Sequence, residues 1–191
     1  MKKVVLDIET QNSFAEIGSR DITKFDVSVV GVYDYETDQY FAYTVDDLSG
    51  LWQLLEARDM IIGFNSDYFD LPILNKYYSG DLKAFKSLDI LAEINRSLGK
   101  MVSLDRVARA TLNVGKSADG LQAIAWWKAG EIEKIKEYCL QDVRVTKEIY
   151  DFARANNYLL YEGQGESRRI PLDATRWEVG EKPLLNMTLP F

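Results

Sequence analysis

The sequence predicts an α/β fold in which α-helices flank a mixed central β-sheet and a small C-terminal β-hairpin and tail follow. Apolar, strand-like runs alternate with helical patterns through the main part of the chain, as is typical of α/β proteins. Near the C-terminus, two short apolar runs flank the turn Gly163-Gln164-Gly165-Glu166, a pattern that predicts a hairpin. We therefore predict a main domain at residues 1–155 and a hairpin with a tail at residues 156–191.

The predicted strands of the sheet lie in the first third of the chain. An apolar run predicts a strand at residues 2–8, and the next segment, without a clear period, is interpreted as a loop or short helix. Asp46 or Asp47 is in position to cap a helix that ends near Ala57. Three further strands are predicted at residues 25–35, 39–44 and 60–64.

The remaining pattern is helical until the hairpin. Pro72 fits the first turn of a helix, where its missing N–H is not needed, so Asp70 stands at the entrance of that helix. Ser103 is predicted to cap one of the later helices. These later helices are predicted at residues 88–98, 104–112, 121–129 and 131–151.

Composition excludes several kinds of chemistry. The 191 residues include no histidine, which excludes Ser-His-Asp and Cys-His catalysis and the usual zinc sites. The single cysteine, Cys139, excludes an internal disulfide, and no apolar run approaches a membrane span. We therefore expect a cytoplasmic protein without a signal peptide. Its net charge of −7 argues against general binding to nucleic acid, although a local groove stays possible.

Acidic residues recur at predicted strand ends. Side chains alternate along a strand, so Asp7 and Glu9 face the same side at the C-terminal end of the first strand, where α/β sheets usually bind ligands. Asp70 follows a later strand. Taken singly, each of these acids is better explained as a solvated residue or a helix cap than as a ligand.

The predicted long helix carries a charge inside its apolar stripe. Stepping about 100° per residue from Ile135 places Asp142 between Cys139 and Ile149, on the buried face. Tyr138 lies one turn earlier, so its hydroxyl can share a surface with the Asp142 carboxylate. A buried carboxylate is costly unless it is paired or binds a metal, and an ion pair with lysine or arginine is the alternative interpretation.

Together these acids predict a metal site. Two unit charges about 4 Å apart repel by about 4 kcal/mol at an effective dielectric near 20. Four carboxylates at one sheet edge would therefore suit two divalent cations, such as Mg²⁺ or Mn²⁺, which prefer oxygen ligands. Such a pair activates water for phosphodiester hydrolysis without histidine.

Three motifs resemble those of the DEDD superfamily of 3′–5′ exonucleases, specifically its tyrosine-bearing branch, whose fold is RNase H-like. The segment DIET at residues 7–10 matches the first motif, and YCLQD at residues 138–142 matches the third, Y-x-x-x-D. The segment GFNSDYFDLP at residues 63–72 is similar to the second motif of the proofreading domains of family B DNA polymerases. The resemblance covers residues 2–153 and implies an RNase H-like domain.

The resemblance also implies roles for individual residues. The position of Asp7 contacts both metals, those of Glu9 and Asp142 bind the metal on the nucleophile side, and that of Asp70 supports the second metal. Tyr138 would orient the attacking water. The residues implied in substrate binding are Thr10, Phe64, Asn65 and Phe69.

The expected function is metal-dependent 3′–5′ exonuclease activity on single-stranded DNA, in a proofreading-like role. Two alternatives stay open: an exoribonuclease, and a non-catalytic nucleic-acid-binding module of the same fold. No polymerase domain fits in the chain, so any polymerase would be a separate protein. A sliding clamp is a second partner that the sequence indicates. Residues 186–191 resemble bacterial sliding-clamp-binding peptides, although they begin with Asn186 rather than glutamine. The alternative is an apolar tail that packs on its own domain.

Residues 96–118 carry five basic side chains and one acidic side chain in this otherwise acidic protein: Arg96, Lys100, Arg106, Arg109 and Lys116 against Asp105. This local excess of positive charge could follow a phosphate backbone. A solvated helical face explains it equally well.

Overall fold

The computed structural model describes residues 1–115, 120–163 and 165–179 of the chain. Five strands form the main sheet in the order β3-β2-β1-β4-β5, and two form a separate hairpin, β6-β7. The strands are β1 Lys3–Thr10, β2 Val27–Asp34, β3 Gln39–Thr44, β4 Met60–Gly63, β5 Ser87–Asp89, β6 Tyr158–Glu162 and β7 Ser167–Pro171.

Helices pack around this sheet. The longest has 25 residues and carries the third acidic motif. The helices are α1 Phe14–Ile17, α2 Leu48–Glu56, α3 Asp70–Leu74, α4 Ile90–Leu98, α5 Leu104–Leu112, α6 Gly120–Lys128 and α7 Ile132–Asn156.

Strand β1 lies at the centre of the sheet. It pairs antiparallel with β2 and parallel with β4, and β4 pairs parallel with β5, so the predicted mixed sheet is confirmed. The C-terminal ends of the three parallel strands β1, β4 and β5 lie at one edge of the sheet. This is the edge at which the first and second acidic motifs leave their strands.

Two hydrophobic cores cover the faces of the sheet, and β1 contributes to both. Val5 belongs to the core beneath α4, α5 and α7, whereas Val4, Leu6 and Ile8 belong to the core beneath α2 and α3. This alternation, which the period of a strand predicts, directs Asp7 and Glu9 to the side of α7.

Helix α7 packs closely on β2 at a glycine. A Cβ added to Gly31 would lie 2.9 Å from Cys139 Sγ and 2.9 Å from Val143 Cγ2, closer than real contacts allow. Only glycine therefore lets this helix approach the sheet so closely. The approach brings the buried face of α7 against β1 and β2.

The sequence prediction missed strand β5 and shortened two other elements. Residues 88 and 89 were predicted as helical, but Ser87–Asp89 pairs with β4, and Asp89 then caps α4 by accepting from the N–H groups of Leu91 and Ala92. A three-residue strand is too short to show a period of two. Strand β1 extends through Thr10, and α7 runs to Asn156, where Asn157 adopts a left-handed conformation.

The predicted C-terminal hairpin is confirmed, and it shares a core with the sheet. Leu159, Tyr161, Ile170 and Trp177 belong to the same buried cluster as Ile149 of α7. The predicted clamp-binding peptide, residues 186–191, lies outside the described residues. Within the part of the chain that is described, no helix combines the length and the apolar character that crossing a membrane requires.

A buried ion pair joins β2 to the segment after α2. The Asp34 side chain is fully buried, and Arg58 donates to both of its oxygens, with Nε–Oδ1 2.7 Å and Nη2–Oδ2 2.6 Å. The Thr37 hydroxyl and the Glu36 N–H also donate to this carboxylate. The hydrogen bonds from Arg58 lower the pKa of Asp34 to about 2.

Replacement of Arg58 by methionine is expected to destabilise the fold by about 3–5 kcal/mol, because it leaves the Asp34 carboxylate buried without its countercharge. Urea unfolding at pH 7 measures this change. As a control, Lys136→Met removes a surface pair with Glu133 and should cost less than about 1 kcal/mol. Equal effects of the two substitutions would contradict the role assigned to Arg58.

Candidate metal centre

Three carboxylates from two elements converge beside the sheet. Asp7 and Glu9 project from β1 toward α7, and Asp142 projects from α7 toward β1. One oxygen of each carboxylate lies within 4.8 Å of an oxygen of each of the others. The structure therefore brings together acids that are more than 130 residues apart in sequence.

Asp70 is bound to the backbone of β1 between the two acids of that strand. It is the first residue of α3, and its Oδ1 accepts a hydrogen bond from the N–H of Ile8, which lies between Asp7 and Glu9 (3.1 Å). The side chain is buried, and burial raises the pKa of Asp70 to about 7. The carboxylate is fixed by the backbone of β1 and acts electrostatically on Asp7.

The pKa of Asp7 is strongly raised. Burial is the largest cause that raises its pKa well above the usual range, followed by the charges of Asp70, Asp142 and Glu9. Its Oδ2 lies 3.7 Å from the Cys139 thiol, whose hydrogen bond has the opposite, smaller effect on the pKa. Carboxylates are thus concentrated where solvent screens them only in part.

Tyr138 lies against the same acids. Its side chain is buried, and its hydroxyl donates a hydrogen bond to the Asp142 carboxylate. The Trp126 ring, from α6, is 6.1 Å from the Tyr138 ring in an edge-to-face arrangement, which holds the phenol in place. Burial, then the charge of Asp142, raise the pKa of Tyr138, so the phenol stays protonated at neutral pH.

The four predicted substrate-binding residues have different environments. Asn65 adopts a left-handed conformation (φ 66°), and its N–H donates to Asp89 Oδ1 at 2.8 Å. Phe64 packs against the core beneath α4 and α5, whereas Phe69 packs in the opposite core, its ring 5.3 Å from that of Phe25. Thr10 is buried, and its hydroxyl donates to the Asn12 carbonyl oxygen.

Sequence reasoning missed two residues of the site. Cys139 was predicted to be a core residue, but its Sγ also contacts the Asp7 carbonyl oxygen at 3.4 Å and the Asp7 carboxylate. Asp89 caps α4, and it has a second role that the sequence did not indicate, which is to accept a hydrogen bond from the Asn65 N–H. The position of Cys139 could have been inferred from Gly31, because an isolated glycine in a buried strand indicates the close approach of another element.

The donor set fits a hard divalent cation. Asp7, Glu9 and Asp142 offer only carboxylate oxygens, the ligands that Mg²⁺ and Mn²⁺ prefer. The mutual repulsion that raises the pKa of Asp7 is the kind that a divalent cation relieves. Asp70, whose charge raises the pKa of Asp7, adds a further carboxylate next to β1.

Asp70→Asn is expected to remove a pH dependence of stability. Because the pKa of Asp70 is raised from 3.8 to about 7 by folding, its contribution to stability is fully present below about pH 4 and is lost as the pH rises to about 7. Between these two pH values, the free energy of unfolding of the variant should therefore rise relative to that of the parent protein by up to about 4 kcal/mol. Urea unfolding in chelator at a series of pH values measures the difference, and a constant difference would contradict the assignment.

Comparison with known proteins is consistent with this architecture. The sequence profile of the RNase H superfamily (RNase_H_2) matches residues 4–154, whereas no curated protein matches the sequence. The family B DNA polymerase from the hyperthermophilic archaeon Pyrobaculum calidifontis has a similar fold, with a TM-score of 0.62 and 19% sequence identity. The alignment covers 80% of this chain and 24% of the polymerase, so the chain spans about a quarter of that protein. Since the profile covers most of the sequence, the chain belongs to the RNase H superfamily.

Proposed function

We propose that the protein is a metal-dependent 3′–5′ exonuclease that hydrolyses phosphodiester bonds of single-stranded DNA. The observation that carries this proposal is the convergence of Asp7, Glu9 and Asp142 within 4.8 Å. Asp70 is bound to the N–H of Ile8 and raises the pKa of Asp7, and the Tyr138 hydroxyl donates to Asp142. Membership of the RNase H superfamily and the similarity in fold to a family B polymerase support it.

In this proposal, the carboxylates hold two divalent cations, Mg²⁺ or Mn²⁺. Asp7, Glu9 and Asp142 would hold one, and Asp7 together with Asp70, whose charge acts on Asp7, would hold the other. When bound, such cations activate water and neutralise the charge that develops on the phosphodiester oxygens. The Ile8 N–H fixes the Asp70 carboxylate, so this ligand needs little reorganisation to bind.

Tyr138 has a positioning role toward the attacking water. Its hydroxyl donates to Asp142, and a phenol oxygen that donates one hydrogen bond can also accept one from a water molecule. Because its pKa is raised, the phenol is neutral at pH 7 and does not act as a base. It therefore orients the water rather than deprotonating it.

The remaining predicted residues bind the strand end. Asn65 has a left-handed backbone conformation and its N–H donates to Asp89, and Phe64 and Phe69 belong to the same turn. Thr10 lies next to Glu9 at the end of β1. Removal of nucleotides from the 3′ end follows from the resemblance to the tyrosine-bearing branch, and a polymerase served by proofreading would be a separate chain.

Incubation of the purified protein with end-labelled single-stranded DNA, RNA and mismatched duplex, each with Mg²⁺ or Mn²⁺, tests the proposal. We expect stepwise shortening of single-stranded DNA from its 3′ end and complete loss of activity in excess chelator. Preference for RNA would favour the exoribonuclease alternative, because the metal chemistry itself does not read the 2′-hydroxyl. Activity that persists in chelator would contradict the metal mechanism.

In the same assay, Asp142→Ala is expected to lower the cleavage rate by about a thousandfold or more, because losing a metal ligand removes several kcal/mol of transition-state stabilisation. The matched control is Glu137→Ala, which removes an exposed carboxylate from the same helix and should leave the rate unchanged. Circular dichroism checks that both variants are folded. Full activity of a folded Asp142→Ala protein would refute the assignment.

Tyr138→Phe is expected to slow turnover by about ten- to a hundredfold, since it removes only the hydroxyl that orients the water. Metal affinity, measured by calorimetric titration with Mn²⁺, should stay the same because no carboxylate is altered. A loss of metal affinity with unchanged turnover would argue against the orienting role.

A further inference from the structure

A group of cations surrounds Tyr161 of the hairpin. Lys100 Nζ donates to the Tyr161 hydroxyl at 3.0 Å and lies 4.7 Å from the centre of its ring. The Arg106 guanidinium lies 5.7 Å from the same ring centre. Arg168 is paired directly with Tyr161 across the hairpin and also reaches its hydroxyl. We call Lys100, Arg106, Arg168 and Tyr161 the Tyr161 cluster.

The three cations of the Tyr161 cluster have no carboxylate partner within 4 Å among the described residues. Their neighbours in sequence differ, since Arg96 pairs with Glu93 and Arg109 pairs with Asp105. The concentration of positive charge is reflected in Tyr161 itself, whose pKa is lowered mainly by the hydrogen bond from Lys100.

Arg106 is held in place without being neutralised. Its Nε and Nη2 both donate to the backbone carbonyl oxygen of Glu162, so a neutral group fixes its orientation. All three cationic residues are exposed to solvent. Like charges this close repel, and an anion that bridges them relieves the repulsion. Glu162 and Glu166 add negative charge at the turn of the hairpin.

Helix α5 connects this cluster to the acidic site. Leu104, Asp105 and Ala108 of α5 line a small cavity together with Gln141 and Asp142 of α7. Arg106 belongs to the same turn of α5, and the whole helix of nine residues is about 13 Å long. A strand whose end lies at the acids therefore needs only a few nucleotides to reach the cluster.

We propose that the Tyr161 cluster binds the phosphate backbone of single-stranded nucleic acid, a few nucleotides before the end that is held at the acidic site. The inference rests on the proposed function, because it extends the path of the same substrate. Contacts of this kind bind phosphates of DNA and RNA alike and carry no base specificity. They add affinity in an otherwise acidic protein and favour strands over short fragments.

Fluorescence anisotropy with a labelled oligothymidylate of about 12 nucleotides, in chelator and over a range of salt concentrations, tests the inference. In the variant Lys100→Ala/Arg106→Ala/Arg168→Ala, we expect weaker binding and a salt slope that is shallower by about 2, since each phosphate contact on a single strand contributes about 0.7. Affinity for a dinucleotide should fall less than affinity for the long strand. An oligouridylate of the same length is expected to behave in the same way.

The matched control is Arg169→Ala. Arg169 is the next residue of β7, is also exposed and has no carboxylate partner among the described residues, but it lies on the other face of the hairpin, 3.9 Å from the Tyr158 ring. The affinity of this variant for the oligonucleotide should depend on salt concentration with the same slope as that of the parent protein. Should the triple variant lose its fold by circular dichroism, Arg106→Gln alone is expected to lower the slope by about 0.7, and Arg106→Lys to keep it.

The inference would be overturned by a salt slope like that of the parent protein in the folded cluster variants, or by an equal loss of slope in Arg169→Ala. Tighter binding of polyglutamate than of the oligonucleotide would also overturn it, because the cluster would then serve an acidic protein. The cleavage assay is a separate test. Binding that depends on the cluster, without cleavage in Mg²⁺ or Mn²⁺, would refute the proposed nuclease function and still support the cluster.

Discussion

The close packing of helix α7 on strands β1 and β2 is the contact on which the acidic site depends. Gly31 permits it, because any side chain there would overlap Cys139 and Val143. Once α7 lies on the sheet, Asp142 and Tyr138 have no other place than beside Asp7 and Glu9. The helix therefore brings the site together, while its buried apolar residues offset the cost of crowding the carboxylates.

The chain treats its buried acids in two ways. Asp34 is also fully buried, but Arg58 neutralises it with two hydrogen bonds, and its pKa falls to about 2. Asp7 and Asp70 have raised pKa values because burial and neighbouring carboxylates dominate their surroundings. The first arrangement favours the fold, whereas the second costs stability at neutral pH. Such a cost is expected where a site is built for a cation.

Two local periods were enough to predict which face of its element each of the first and third motifs occupies. They are the alternation of side chains along a strand and the angle of about 100° per residue along a helix. These periods placed Asp7 and Glu9 on one side of β1 and Asp142 on the inner face of α7, and the structure agrees. They could not place the hydrogen bond from Ile8 to Asp70, because it joins residues of different elements. Strand β5 was missed because three residues carry no measurable period, and its presence depends on pairing with β4. Local pattern thus predicts which face a residue occupies, whereas partners across elements require the tertiary structure.

The same limit applies to the basic segment at residues 96–118. The sequence shows its excess of cations, but an exposed helical face and a phosphate-binding surface have the same composition. The structure adds the partner of each described cation: Arg96 and Arg109 have carboxylate partners, whereas Lys100 and Arg106 lie against Tyr161 together with Arg168 from a distant part of the chain. Helix α5 then contacts the acids through one set of residues and the cations through another. An acidic protein repels a polyanion over most of its surface, so under the proposed function the cationic Tyr161 cluster would attract the strand to this part of the molecule.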